Sequence, residues 1–278
     1  MAEDTFAGFD DPFVGFDNPG TGLVIEKPVG RTLTIFFVVD TSGSMNQNAR
    51  IGAVNDAIDN CIEEIKIIQN SNLGQTIKIA VLSFDTDCRW ADPMPVRVDD
   101  FVHKTLKAEG LTKFGAACKE LNSKLSRTAF MQAAKASYAP VFILLSDGGP
   151  TDSWESGLAE LKQNGWFMSG VRVAIDVDGM SKRDVLERFT GNPETVLESD
   201  GPDHLRKIIE FVSITSSMVA SKFNVTDSTQ GPTTREDPTD EIGEQFKNGV
   251  PGITSGNGAD TPANPVSGDF DPNPWAGF

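Results

Sequence analysis

The sequence predicts a doubly wound, Rossmann-like α/β fold: a mostly parallel central sheet, helices on both faces and one antiparallel edge hairpin. Three observations predict it. Residues 33–39 and 141–145 are apolar runs without polar alternation, which suits strands buried on both faces of a sheet. Strand-like runs alternate with helical patterns through the middle of the chain. The chain also turns abruptly polar where the first run ends, at Asp40, Thr41, Ser42, Gly43 and Ser44. In open α/β sheets, ligands bind at that end of the strands.

The elements follow in order. The folded domain is expected over 25–222, beginning near Glu26. After the Asp40 loop, Ile51, Val54, Ile58, Cys61, Ile62, Ile65 and Ile68 recur at helical spacing between charged residues, the mark of an amphipathic helix. Residues 76–84 read as a strand. Residues 89–98 read as a poorer one, placed at an edge by Pro93 and Pro95 because proline cannot donate to a ladder. The two can pair as a hairpin across Asp85-Thr86-Asp87. Residues 99–110 read as a loop. A helix follows with Phe114, Ala117, Leu121 and Leu125 on one face, and 127–137 either continues it or forms a second helix. Asp152-x-x-Glu155 reads as a capping box opening a helix to about Asn164. A strand at 171–175, a short helix at 182–189, a small edge strand at 195–197 and a last helix at 203–221 complete the domain.

Asp40, Ser42 and Ser44 are oxygen-bearing residues at alternate positions, suited to hard cations such as Mg²⁺, Mn²⁺ or Ca²⁺. Asp40-x-Ser42-x-Ser44 resembles the first motif of the metal-ion-dependent adhesion site of von Willebrand factor A domains. Gly110-Leu111-Thr112 resembles the loop that supplies that site's threonine. Ser146-Asp147-Gly148-Gly149-Pro150-Thr151-Asp152 resembles the loop that supplies its second aspartate. The Asp-Gly-x-Pro-Thr-Asp string and residues 188–208 are similar to the tellurium-resistance branch of these proteins, the TerY type. The resemblance implies that Ser42, Ser44 and Thr112 bind Mg²⁺ (Mn²⁺ or Ca²⁺ being alternatives) through their hydroxyls, while Asp40 and Asp147 hold its waters. It further implies a non-catalytic adaptor, in bacterial stress or tellurite resistance, whose partner donates an Asp or Glu to the ion. Gly43 is expected to let the first loop turn tightly. The bland alternative is that Ser42 and Ser44 cap the following helix.

The formal net charge is −16, with −5 in residues 1–24 and −7 in 223–278, so the middle of the chain carries only −4. Acidity of this kind argues against nucleic acid and anionic membranes as partners. Three cysteines without metal-like spacing read as reduced thiols. No leader peptide or membrane-spanning run is visible, and a cytoplasmic protein is expected.

Both termini read as acidic, disordered tails carrying a repeat. Phe6-Ala7-Gly8-Phe9-Asp10-Asp11-Pro12 is followed at once by Phe13-Val14-Gly15-Phe16-Asp17-Asn18-Pro19, and the chain closes on Trp275-Ala276-Gly277-Phe278. Phe6, Phe9, Phe13, Phe16, Trp275 and Phe278 are candidate partner-binding residues, for a second partner or for self-association. A scaffold acting through these repeats is the alternative to the metal-dependent adaptor. Enzyme readings find little support. Ser42 has no general base beside it, no phosphate-binding loop of Walker type is present, and His103 and His204 lie far apart. No catalytic residue is assigned.

Overall fold

The computed structural model describes residues 31–71, 75–132, 137–147, 149–177, 182–222, 224–225 and 237–247. The repeats at both termini, with Phe6, Phe9, Phe13, Phe16, Trp275 and Phe278, lie outside the described residues, as do Gly148 and residues 25–30.

Strand β1 (Arg31–Asp40) is buried over all but its first residue. Its side chains alternate between two cores. Leu33, Ile35, Phe37 and Val39 enter one, and Phe36 and Val38 enter the other. On the first face lie α1 (Arg50–Ser71) and, later in the chain, α6 (Pro202–Lys222), packed side by side. Strand β2 (Gln75–Phe84) runs parallel to β1 over its whole length. The edge beyond it is interrupted by its prolines. It forms two short pieces, β3 (Cys88–Trp90) and β4 (Val96–Arg97), both antiparallel to β2, so the expected hairpin is present but broken.

Helix α2 (Phe114–Lys124) ends with the backbone N–H of Leu125 on the Asn122 carbonyl. Residues 127–131 then form turns, and residues 137–138 are a strand, β5, paired with β1. The helix expected over 127–137 is therefore absent from the described part of that segment. Strand β6 (Val141–Ser146) lies against β1, β7 (Val171–Asp176) against β6, and β8 (Val196–Glu198) against β7, all parallel. Between them sit α3 (Trp154–Leu161), the single-turn α4 (Gly165–Met168) and α5 (Arg183–Thr190). The helix expected to reach Asn164 stops earlier, because the Asn164 side chain accepts from the N–H of Trp166 and caps α4 instead. On the second face, Phe36, Phe142, Phe167 and Phe189 form a ladder with successive ring centroids 5.1–5.2 Å apart.

Two elements fall in the segment expected to be a disordered tail. Strand β9 (Asn224–Val225) pairs antiparallel with β5. Helix α7 (Pro238–Lys247) buries Ile242 and Phe246 in the first core. Burial is the physical reason for the correction: two large side chains one helical turn apart supply about 1.5–3 kcal/mol each. All strand ends that carry the candidate residues point the same way, so Asp40 and Ser146 lie at one rim of the sheet.

Candidate metal-binding site

Three loops meet at that rim. Asp40 is fully buried. Its Oδ1 accepts the Ser42 N–H (2.8 Å) and its Oδ2 accepts the Ser146 hydroxyl (2.7 Å). Ser42 and Ser44 stand with their hydroxyl oxygens 3.1 Å apart, and the Ser44 hydroxyl donates to Asp147 Oδ1 (2.8 Å). Thr112 lies just before α2, buried, in the loop tied to the first one by Gly43 N–H to Gly110 O (3.1 Å) and Glu109 N–H to Thr41 O (2.8 Å).

Neither serine caps a helix. Ser42 precedes a 3₁₀ segment (Gly43–Ala49), but its side chain makes no capping bond, and the Ser44 hydroxyl is committed to Asp147. The glycine that the geometry requires here is Gly110 rather than Gly43. Gly110 has φ +73°, and a Cβ on it would stand 2.5 Å from Thr86 Oγ1. Gly43 has no such φ, and a Cβ on it would make ordinary contact with Gly110.

The second loop grips the third. The N–H of Thr151 donates to Thr112 O (2.8 Å), and its hydroxyl donates to the same oxygen (3.2 Å). Asp152 accepts from the N–H groups of Gly115 and Ala116 (3.1 Å each). It therefore caps α2, not α3. The capping box expected at Asp152 and Glu155 is replaced by Ser153 at the head of α3, with no side-chain cap bond. Helices α2 and α3 meet at Gly115 and Gly157, where a Cβ on Gly157 would lie 2.3 Å from Gly115 O.

Two charged groups flank the site that spacing alone did not mark. Arg50, 8 % exposed, donates from Nη1 to Asp147 Oδ2 (2.7 Å) and to Ser44 O (3.3 Å). Asp85, at the end of β2, accepts the Thr41 hydroxyl (3.3 Å) and both terminal nitrogens of Arg89 (2.7 and 3.2 Å). Burial pushes the Asp85 carboxyl up, but the Arg89 bonds, the Asp87 N–H and the Thr41 hydroxyl together hold it below its ordinary value. The net shift of Asp40 is the opposite one: burial pushes it from 3.8 up to about 6. The Ser146 and Ser42 bonds restrain that rise and the nearby Asp147 charge adds to it.

The donor set is all oxygen. Among the described residues no cluster of three or more His, Cys, Asp or Glu offers a metal a conventional cage. The hydroxyls of Ser42 and Ser44 fit a small hard ion. An octahedral ion with ligands at about 2.0–2.1 Å separates neighbouring ligands by about 3.0 Å, close to the 3.1 Å between the two serine oxygens. The Ser44 proton is directed at Asp147, so the oxygen's remaining lone pairs are available.

Among the described residues no helix is long and apolar enough to cross a membrane. No curated protein matches the chain. Several solved structures share the fold. Proximal thread matrix protein 1 of the mussel byssus is 20% identical, with a TM-score of 0.50 over 69% of this chain and 47% of that one, and it is described with a zinc-occupied MIDAS motif. A von Willebrand factor type A protein from Catenulispora acidiphila is 16% identical (TM-score 0.50; 68% and 43% covered). The pilus adhesin SpaC from Lactobacillus rhamnosus GG, in its open conformation, is 15% identical (TM-score 0.53; 70% and 30% covered). The chain spans less than half the length of each of these proteins. A family model for the von Willebrand factor type A domain matches residues 34–211, most of the chain, and the chain belongs to that family.

Proposed function

We propose that this chain is a non-catalytic adaptor that binds a protein partner through a divalent ion, with Mg²⁺ as the natural ion and Mn²⁺ or Ca²⁺ as substitutes. The observation that supports this reading is the meeting of three loops at one rim, where Asp40 accepts from Ser42, Ser44 joins Ser42 to Asp147, and neither serine is spent on a cap. The zinc-occupied motif of the mussel protein supports it. Ser42, Ser44 and Thr112 would hold the ion through their hydroxyls, while Asp40 and Asp147 hold its waters and orient those hydroxyls. When bound, the ion supplies an electrophilic position that an Asp or Glu of a partner can fill. Thr151 and Asp152 keep Thr112 in register with Asp147, and Ser146 fixes the Asp40 carboxylate.

The three free thiols, Cys61, Cys88 and Cys118, accord with a reducing, cytoplasmic setting. A role in tellurite resistance or bacterial stress rests on the resemblance of residues 36–45, 146–154 and 188–208 alone. The test is a Mn²⁺ titration of the whole chain followed by electron paramagnetic resonance. Thr112→Ala is expected to weaken binding by about 10–100-fold with an unchanged melting temperature. Equal affinity in wild type and variant would overturn the reading. A partner captured from native extract should be released by EDTA. One that survives EDTA but is lost when both tails are removed would assign the function to the terminal repeats.

A further inference from the structure

Residues 101–113 carry neither helix nor strand, yet Thr112 stands at their end. A binding residue on a long loop is placed precisely only if other elements hold the loop. The supports lie along its course. Phe101 is buried, and Leu106 and Ala108 pack against the first core. Lys104 donates to the Ala91 carbonyl and to Asp92. Asn46 Nδ2 donates to Ala108 O (2.7 Å), Glu109 N–H to Thr41 O (2.8 Å) and Gly43 N–H to Gly110 O (3.1 Å). Midway stands Asn55 of α1, 8 % exposed.

Asn55 turns its carboxamide onto this loop. Nδ2 donates to Leu106 O (3.0 Å), and Oδ1 accepts the Leu106 N–H (2.8 Å). A neighbouring strand offers one residue the same pair of bonds, and here a single side chain supplies both. Oδ1 also meets His103 Nε2 (2.9 Å). An amide oxygen only accepts, so Nε2 carries the proton. Asn55 and the two serines belong to one continuous piece of chain, 42–55. The piece that presents Ser42 and Ser44 therefore also grips the loop that presents Thr112.

We propose that Asn55 is a positioning residue for Thr112: it locks residues 101–113 to the segment that carries Ser42 and Ser44, so that the three hydroxyls stand as a preset group. The inference rests on the adhesion-site reading and adds to it a residue that touches neither ion nor partner. The plain alternative is that Asn55 only satisfies the backbone of Leu106, as buried polar groups require. Its removal would then be felt at Leu106 and no further.

The test uses the full chain with Asn55→Ala, Thr112→Ala and both together. In the metal-free protein, amide hydrogen exchange is read by nuclear magnetic resonance. The Leu106 N–H loses its acceptor and quickens on either account. Glu109 and Gly43, bonded nearer Thr112, should also quicken, by about tenfold, only if the loop is released as a unit. Mn²⁺ affinity should fall about tenfold in Asn55→Ala. In the Thr112→Ala background the same substitution should change it by less than about twofold, because the residue it positions has lost its hydroxyl. Exchange that quickens at Leu106 alone, with Mn²⁺ affinity unmoved, would overturn the proposal. So would a loss of affinity equally large with and without the Thr112 hydroxyl. If Asn55→Ala does not fold, Asn55→Asp, which keeps the acceptor and loses the donor, is read for the same outcomes. A wild type that binds Mn²⁺ without coupling between the two residues removes this inference and leaves the adhesion-site reading standing. A wild type that binds no Mn²⁺ removes both.

Discussion

Two buried arginines stand at opposite ends of the sheet and do opposite work. Arg50, at the rim where the strands end, donates to the Asp147 carboxylate and to the Ser44 carbonyl. Arg172, near the start of β7, is 3 % exposed and meets almost nothing but backbone. Its guanidinium donates to the carbonyls of Thr190 (2.8 Å), Phe167 (3.1 Å), Met168 (2.8 Å) and Gly170 (2.9 Å), and to Asp237 Oδ2 (2.6 Å). Carbonyls left over where α4 and α5 end are thereby satisfied, and the segment that begins α7 is drawn onto the sheet. An arginine spent on carbonyls has no exchangeable partner and serves the fold. An arginine spent on a site carboxylate has one, because another cation can take its place.

The comparison breaks if the two ends respond alike to removal. Arg172→Met should cost about 3–5 kcal/mol, since it strips the partners from several buried carbonyls and from Asp237 at once. Urea denaturation measures this, and a loss below about 1 kcal/mol would mean that the carbonyls find water and that Arg172 is no anchor. Mn²⁺ affinity of the folded fraction should be unchanged by the substitution.

A second contrast is in pH. Asp40 is held protonated by burial up to about 6. Between its ordinary 3.8 and 6 the native state binds the proton more tightly than the unfolded chain does, so the metal-free protein loses stability as pH rises through that window. The loss amounts to about 2–3 kcal/mol by linkage. Bound Mn²⁺ requires the ionised carboxylate, so its affinity should fall as pH drops below about 6. Denaturation curves from pH 4.5 to 7, with EDTA and with Mn²⁺, should therefore slope in opposite directions. Asp40→Asn should flatten the metal-free slope, and Arg172→Met should leave it as it is. Because burial lowers the His103 pKa and so favours stability at higher pH, the wild type is read against Asp40→Asn: equal metal-free slopes in the two would show Asp40 to be ionised through the window.

The loops that carry the five candidate site residues were legible because each is a short string at the end of a strand or just before a helix. Buried strands announce their ends by a sudden change from apolar to polar, as at Val39 to Asp40 and Leu145 to Asp147. Arg50 was not legible, because its partner Asp147 is 97 residues away and no local pattern joins them. Helix α7 was hidden by its surroundings: two apolar anchors in an otherwise polar stretch. Its own signals were present, with Pro238 at the first helical position, Asp240 and Glu241 in the first turn, Ile242 and Phe246 four apart, and Lys247 near the end, an arrangement that matches helix start and stop rules. The mistake at Asp152 is of another kind. The local string Asp-x-x-Glu fits a capping box, and local reasoning stops there. Helix α2 begins at Phe114 with no side-chain cap from Lys113 before it, and the N–H groups of Gly115 and Ala116, 37 and 36 residues upstream, are the ones the Asp152 carboxylate accepts.

The smallest predicted effect tests that last point and connects the two ends of the comparison. Asp152→Ala removes a cap from α2, which should cost about 0.5–2 kcal/mol, far less than the loss of Arg172. Because the same loop holds Thr112 through Thr151, the variant should also weaken Mn²⁺ binding. Asp152→Asn keeps an oxygen acceptor for one N–H, so it should recover most of the stability, with a smaller gain in Mn²⁺ affinity because the charge near the helix N-terminus is gone. Calorimetry and Mn²⁺ titration on the same two variants separate the roles. If stability and affinity fall together in Asp152→Ala and recover in this order in Asp152→Asn, the carboxylate positions Thr112 through the helix it caps. If stability falls while affinity holds, the cap belongs with Arg172 among the groups that serve the fold alone.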